Sequence, residues 1–188
     1  MALAPNILAK IANARATTGG NIIKDGKYLL TIEKISIESK FRGTMFIAEF
    51  YVKKSEKTLA NIEPNAVGST CSIVLNLDEP RGIGAGNAKA FVLNLLGYDE
   101  PKGPIESPEV QKFLAEFQET LAKLIEPAQP VRGMLVNCET FRKVTQTGVN
   151  AGKEATYPRF SSVPQKPEEI AASRNWLDQA HKETPATA

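Results

Sequence analysis

Residues 26–54, GKYLLTIEKISIESKFRGTMFIAEFYVKK, read as two long β-strands joined by a short basic turn that contains Gly43. Tyr28, Leu30 and Ile32 share one face of the first strand, but further on the apolar character passes to the odd positions Ile35 and Ile37. Because a strand has a side-chain period of two, the slip between Ile32 and Ile35 predicts an extra, bulged residue, and a bulge bends a strand so that it can serve two sheets. In the second strand Phe46, Ala48, Phe50 and Val52 alternate with Met45, Ile47, Glu49, Tyr51 and Lys53, so the even positions are the expected core face. The odd face ends in an aromatic and a cation. A long bent strand with its partner beside it suits a small barrel, and the remaining chain reads as the closure of that barrel.

The 188 residues suffice for one domain with a sizeable core plus appendages, and the apolar and charged fractions are those of an ordinary globular chain. No run of about eighteen apolar residues is present to span a bilayer, and the start of the chain lacks a basic-then-apolar leader pattern, so a cytoplasmic protein with no membrane partner is expected. Cys71 and Cys138 both fall inside strand patterns, which favours buried free thiols over a disulfide. With His181 as the single histidine there is little material for a zinc site or a Ser-His-Asp triad, and neither a metal nor a cofactor is expected. The net charge of +2 conceals a division. Residues 1–60 carry ten Lys and Arg against five Asp and Glu, residues 61–130 carry five against ten, and residues 131–166 six against two. Basic strands around an acidic helical middle point to a polyanion on one side of the molecule, or else to chance segregation on solvated surfaces.

Along the chain, residues 1–23 form an N-terminal arm with a short helix expected at 6–15. A third strand is expected at 67–77. A glycine-rich loop, 78–87, precedes a helix over 88–96 that Gly97 would cap. Ser107, Pro108 and Glu109 then signal the start of a second helix, along which Val110, Phe113, Leu114, Phe117, Leu121 and Leu124 recur at helical spacing as a core-facing stripe. Strand character returns at 131–142 and at 154–163, where Pro158 suggests an edge. Residues 164–188 read as a C-terminal helix and a disordered tail. The order is three strands, helices (an insertion of about 87–126), then two strands. That is the order of the oligonucleotide-binding (OB) fold, a five-stranded Greek-key barrel whose ligand loops join strands one to two and four to five. The expected class is therefore mainly β with helices (α+β), with the OB domain at 24–163.

Both of those loops carry cations interleaved with aromatics. Around the first lie Lys40, Phe41, Arg42, Tyr51 and Lys53, with Met45 and Lys54 beside them. Around the second lie Arg132, Phe141, Arg142, Lys143, Lys153, Tyr157 and Arg159. Single-stranded nucleic acid needs a cationic track for its phosphates and flat side chains for its unpaired bases, which is this mixture. The bland alternative for Phe41 and Tyr51 is that they complete a core. Gly82, Gly84 and Gly86 before a helix invite a phosphate-binding reading, but the dinucleotide spacing fails at Asn87 and Lys89 is not placed as in a Walker loop. A flexible turn over the barrel end is the preferred reading. The carboxylate pairs Asp78 with Glu79, Asp99 with Glu100 and Glu168 with Glu169 are explained by solvation and helix starts, and no acid, base and nucleophile can be matched, so no enzyme is expected.

Residues 26–52, followed by VGSTCSIVLNL (67–77), a helix ending in LLG (95–97) and RGMLVNCETF (132–141), resemble the single-stranded DNA-binding proteins of tailed bacteriophages over roughly residues 24–163. The resemblance implies non-sequence-specific binding of single-stranded DNA in phage replication and recombination, in the host cytoplasm, with replication or recombination proteins as further partners. Many such proteins end in a strongly acidic tail, whereas this chain ends KETPATA, which puts tail-mediated recruitment in doubt. The competing class is a non-catalytic structural or protein-interaction barrel, a virion accessory protein or an inhibitor. Oligomerisation is left open.

Overall fold

The computed structural model describes residues 22–40, 43–144, 152 and 154–183. Its strands are β1 (Lys27–Lys40), β2 (Gly43–Glu56), β3 (Thr70–Asn76), β4 (Leu135–Val144) and β5 (Glu154–Ser162), and its helices are α1 (Ile83–Leu96), α2 (Pro108–Leu124) and α3 (Pro167–Glu183). All neighbouring strands run antiparallel in one five-stranded sheet of order β3-β2-β1-β4-β5. The protein is thus a mixed α+β fold. The sheet is open: among the described residues no ladder joins β3 to β5, so the closed barrel expected from the strand order is met only as far as this shared order.

The phase slip read in β1 is real. Its register against β2 shifts between Ile32 and Lys34, and again between Leu29 and Leu30. The even face of β2 is the core face, with Phe46, Ala48, Phe50 and Val52 all buried. Burying a Phe side chain contributes about 1.5–3 kcal/mol, so Phe46 and Phe50 anchor the sheet to what covers it. That cover is α1, whose Phe91 ring meets Phe46, Phe50 and Phe160 edge-on at centroid separations of 5.8, 6.0 and 4.8 Å.

The helix α1 starts earlier than expected. The glycine-rich segment is its first turn instead of a loose loop, because Ile83 donates to the Glu79 carboxylate and Gly84 packs directly on the end of β3. A Cβ on Gly84 would stand 1.7 Å from the Asn76 carbonyl oxygen, so only glycine lets helix and strand approach this closely. At the other end Gly97 adopts φ +68° and the amide of Tyr98 closes back on the Leu93 carbonyl at 2.9 Å. The helix α2 occurs over the residues expected. Ser107 accepts from the Val110 amide, with Pro108 in the first turn. Its apolar stripe is only partly covered. Val110 and Leu124 are buried, whereas Phe117 and Leu121 lie against a small cavity shared with Ile37 and Phe46.

The helix α3 lies on the opposite face of the sheet from α1. Phe50 meets Phe91 of α1 and the next residue, Tyr51, meets Trp176 of α3, and adjacent residues of a strand point to opposite faces. Leu177 and Thr31 are fully buried between this helix and the strands. Arg174 fastens the helix by donating to the carbonyls of Arg132 and Pro130. The C-terminal segment is therefore helical as far as Glu183 and is docked on the sheet through Arg174, Trp176 and Leu177. The expected arm helix at 6–15 and the residues after 183 lie outside the described residues.

Two glutamine side chains complete the sheet where strands run out of partners. Gln129, at φ +46°, accepts from the Ile35 amide (2.7 Å) and donates to the Ile35 carbonyl (3.0 Å). Gln165 does the same for Leu135 at 2.5 and 2.8 Å. Both cysteines are free and buried, and burial pushes the Cys71 thiol up to about 12.

Candidate functional site

The two expected clusters fare differently, and strand parity explains most of the difference. On the first, Phe41 and Arg42 lie outside the described residues. Lys40 is exposed at the end of β1 and pairs with Glu38 at 2.5 Å, which holds the Glu38 carboxyl below its ordinary range. Tyr51 is 6% exposed, its ring edge-on to Trp176 at 5.6 Å, and burial raises its pKa. The ammonium of Lys53 sits 3.7 Å from the centroid of the Trp176 ring, and burial lowers its pKa. The odd face of β2 was expected to be an open platform. The docking of α3 covers that part of it, so neither side chain offers a free surface to a ligand.

On the second cluster, Arg132 is a fastening residue. Its guanidinium bridges Glu33 of β1 at 3.2 Å and Asp178 of α3 at 2.8 Å. Arg142 also points away from the expected groove. It donates to the buried carboxylate of Asp25 at 2.7 Å and to Glu154 at 2.6 Å, while Thr156, its register partner, donates to the other Asp25 oxygen at 2.9 Å. These contacts raise the pKa of Arg142, the hydrogen bond to Asp25 first among the causes. Lys153 lies outside the described residues.

What remains is a compact array on the odd face of the β4–β5 ladder. Cys138 and Phe160 are paired and face the core, so the pair Phe141 and Tyr157, three residues along each strand, faces the other way. Their rings stack at 5.9 Å with an interplanar angle of 25°. The Arg159 guanidinium lies 5.3 Å from the Phe141 centroid. Phe141 is 37% exposed, which is high for a large aromatic, and Lys143 is exposed on the same face two residues further on. Arg159 stands opposite Glu139 in the ladder, but that carboxylate pairs with Lys27 at 3.4 Å. Among the described residues the Arg159 guanidinium has no carboxylate partner.

The array borders a cavity of about 420 Å³ that runs between the two edge strands, with α1 as its third wall. Asn87 and Asn94 of α1 line it, as do Ile73 of β3 and Phe160 of β5. Neither asparagine carries a sequence signal that marks it as a site residue, because a helix residue and an edge strand far apart in the chain meet only after the sheet has curled. The register puts Lys40 and the Phe141 array at opposite ends of β1, since Lys27 pairs with Glu139 while Lys40 pairs with Gly43.

No helix among the described residues is long and apolar enough to cross a membrane. A comparison with models of known protein families finds no match to the chain, and a comparison with curated proteins finds none either.

Proposed function

We propose that this protein binds single-stranded DNA without catalysing a reaction, using the odd face of the β4–β5 hairpin, as an OB-type protein of the kind that bacteriophages use in replication and recombination. The observation that supports this reading is the partly exposed Phe141 ring, flanked by Tyr157 and by an Arg159 guanidinium that no carboxylate among the described residues neutralises. Rings that stack unpaired bases beside a cation that meets phosphates are what sequence-tolerant single-strand binding requires, each stacked base contributing on the order of 1–3 kcal/mol. The sheet order supports it, since three meandering strands, a helix and two further strands packed beside the first is the OB arrangement. Lys143, exposed on the same face of β4, extends the positive surface.

The test is a fluorescence titration with labelled single strands and duplex of the same sequence across a series of salt concentrations. Single strands are expected to bind more tightly, with affinity falling steeply as salt rises, because neutralising phosphates releases counterions. Equal affinity for duplex, or a flat salt response, would overturn the proposal.

A further inference from the structure

The cavity between the edge strands has a chemistry of its own. Its volume of about 420 Å³ falls within the roughly 300–1,000 Å³ of small-molecule sites. Its floor is apolar and well supported: Phe91 and Phe160 pack edge-on at 4.8 Å, with Ile73 beside them. Phe141 and Tyr157, whose rings stack on each other, lie at its rim, and among the described residues Arg159 is its one charged lining residue. A cationic ligand is therefore disfavoured, and a neutral group joined to an anion is favoured. Two amides complete the wall. The Asn94 amide nitrogen donates to the Ala90 carbonyl at 2.8 Å, which leaves its side-chain oxygen as an acceptor. Asn87 makes no side-chain hydrogen bond among the described residues, so both a donor and an acceptor remain on it.

From this combination we infer that the cavity is a pocket for one unstacked nucleobase. The inference rests on the nucleic-acid reading above and adds to it a discrete bound unit. A base is flat, so it suits a floor and rim of rings. Its edge carries donors and acceptors, which the two asparagine amides can meet, and the phosphate attached to it suits Arg159. An aliphatic ligand would leave the amides unmatched, and a bare phosphate would make no use of the aromatic floor. Because β3 and β5 contribute opposite walls, an occupying base spans the opening of the sheet and holds its two edges together.

The experiment is thermal denaturation of the full chain with thymidine 5′-monophosphate or 2′-deoxyadenosine 5′-monophosphate, with inorganic phosphate and 2-deoxyribose 5-phosphate as controls. The nucleotides are expected to raise Tm in a concentration-dependent way and the controls are not, since a ligand of the folded state stabilises by mass action. The variant Ala90→Phe fills the cavity from an exposed helix position and is expected to abolish that protection. It should also weaken binding of a single-stranded oligonucleotide about 5- to 150-fold, the loss expected for one stacked base. Asn87→Leu, which removes an amide without adding a ring, should reduce nucleotide protection even if Ala90→Phe fails to fold. Equal protection by nucleotide and sugar phosphate, or undiminished protection of both variants, overturns the base pocket. If Ala90→Phe binds oligonucleotides as tightly as the parent, the pocket falls and the exposed array stands. If the parent binds mononucleotides but no oligonucleotide, the pocket stands and the single-strand reading falls.

Discussion

The ammonium of Lys53 on β2 lies 3.7 Å from the centroid of the Trp176 ring on α3, so a residue that the sequence offers to a ligand is spent on holding the last helix to the sheet. The same ring meets Tyr51 at 5.6 Å, and the two contacts together seal one end of the odd face of β2. Trp176→Ala is expected to lower stability by about 2–3 kcal/mol, from lost packing of a half-buried aromatic and a lost cation–π contact. Since Trp176 is the single tryptophan, Lys53→Met should shift its emission in the folded state, which a fluorescence spectrum reads directly.

Tyr51 and Phe141 should part company when each is replaced by alanine. Tyr51→Ala removes a buried ring and is expected to destabilise by about 2–4 kcal/mol in a denaturant melt. Phe141→Ala should cost under about 1 kcal/mol of stability, since the ring is partly open, yet weaken single-strand binding by about 1–3 kcal/mol. A Phe141→Ala protein that binds as well as the parent would exclude this ring from the interface.

Arg159→Ala tests the charge beside that ring. Loss of one phosphate contact should reduce the slope of log affinity against log salt by about 0.7 and weaken binding across sequences alike. Arg142→Ala, by contrast, strips the buried Asp25 carboxylate of its guanidinium partner at 2.7 Å and is expected to act mainly on stability. Urea melts and binding titrations on the two variants separate these effects.

Gln129 serves as a one-residue strand for Ile35. Replacing it with alanine leaves the amide and carbonyl of Ile35 without those bonds and is expected to cost about 1–3 kcal/mol. Gln129→Glu keeps the acceptor but loses the donor, and sets a carboxylate against a carbonyl oxygen. It should be at least as destabilising as alanine above the carboxylate pKa. Thermal melts at neutral pH check both.

Alkaline pH should expose the burial of Cys71. Its folded pKa is raised to about 12 from an ordinary value of 9.0, so the folded state holds the thiol proton more tightly than the unfolded state does. The associated stability is fully present below about pH 9 and is lost progressively as pH rises towards 12. Cys71→Val should flatten that part of the stability profile relative to the parent, and the parent thiol should react slowly with a thiol reagent until the protein is unfolded.

Several elements were legible in the chain because their causes are local. The bulge after Ile32 follows from a change in side-chain phase, the core face of β2 from strict alternation, and α2 from a capping serine followed by proline and a helical stripe. Even the division of the second cluster could have been read by parity, since Arg142 and Phe141 are adjacent in a strand and must face opposite ways. The start of α1 is not legible in the chain, because glycine ordinarily signals a loop. Here Gly84 is required by a contact with Asn76 that no local pattern announces.

By itself, then, the sequence determined the strands, their order along the chain and which face of each is apolar, because propensity and periodicity act over a few residues. Only the tertiary structure decided which polar and aromatic side chains remain free. Whether Tyr51 or Phe141 meets solvent depends on where α3 docks, and α3 docks through Leu177, Trp176 and the Arg132–Asp178 pair, contacts between segments far apart in the chain. The cavity is likewise a product of curvature. Asn87, Ile73 and Phe160 share it only because a bent sheet brings its two edges to the same helix.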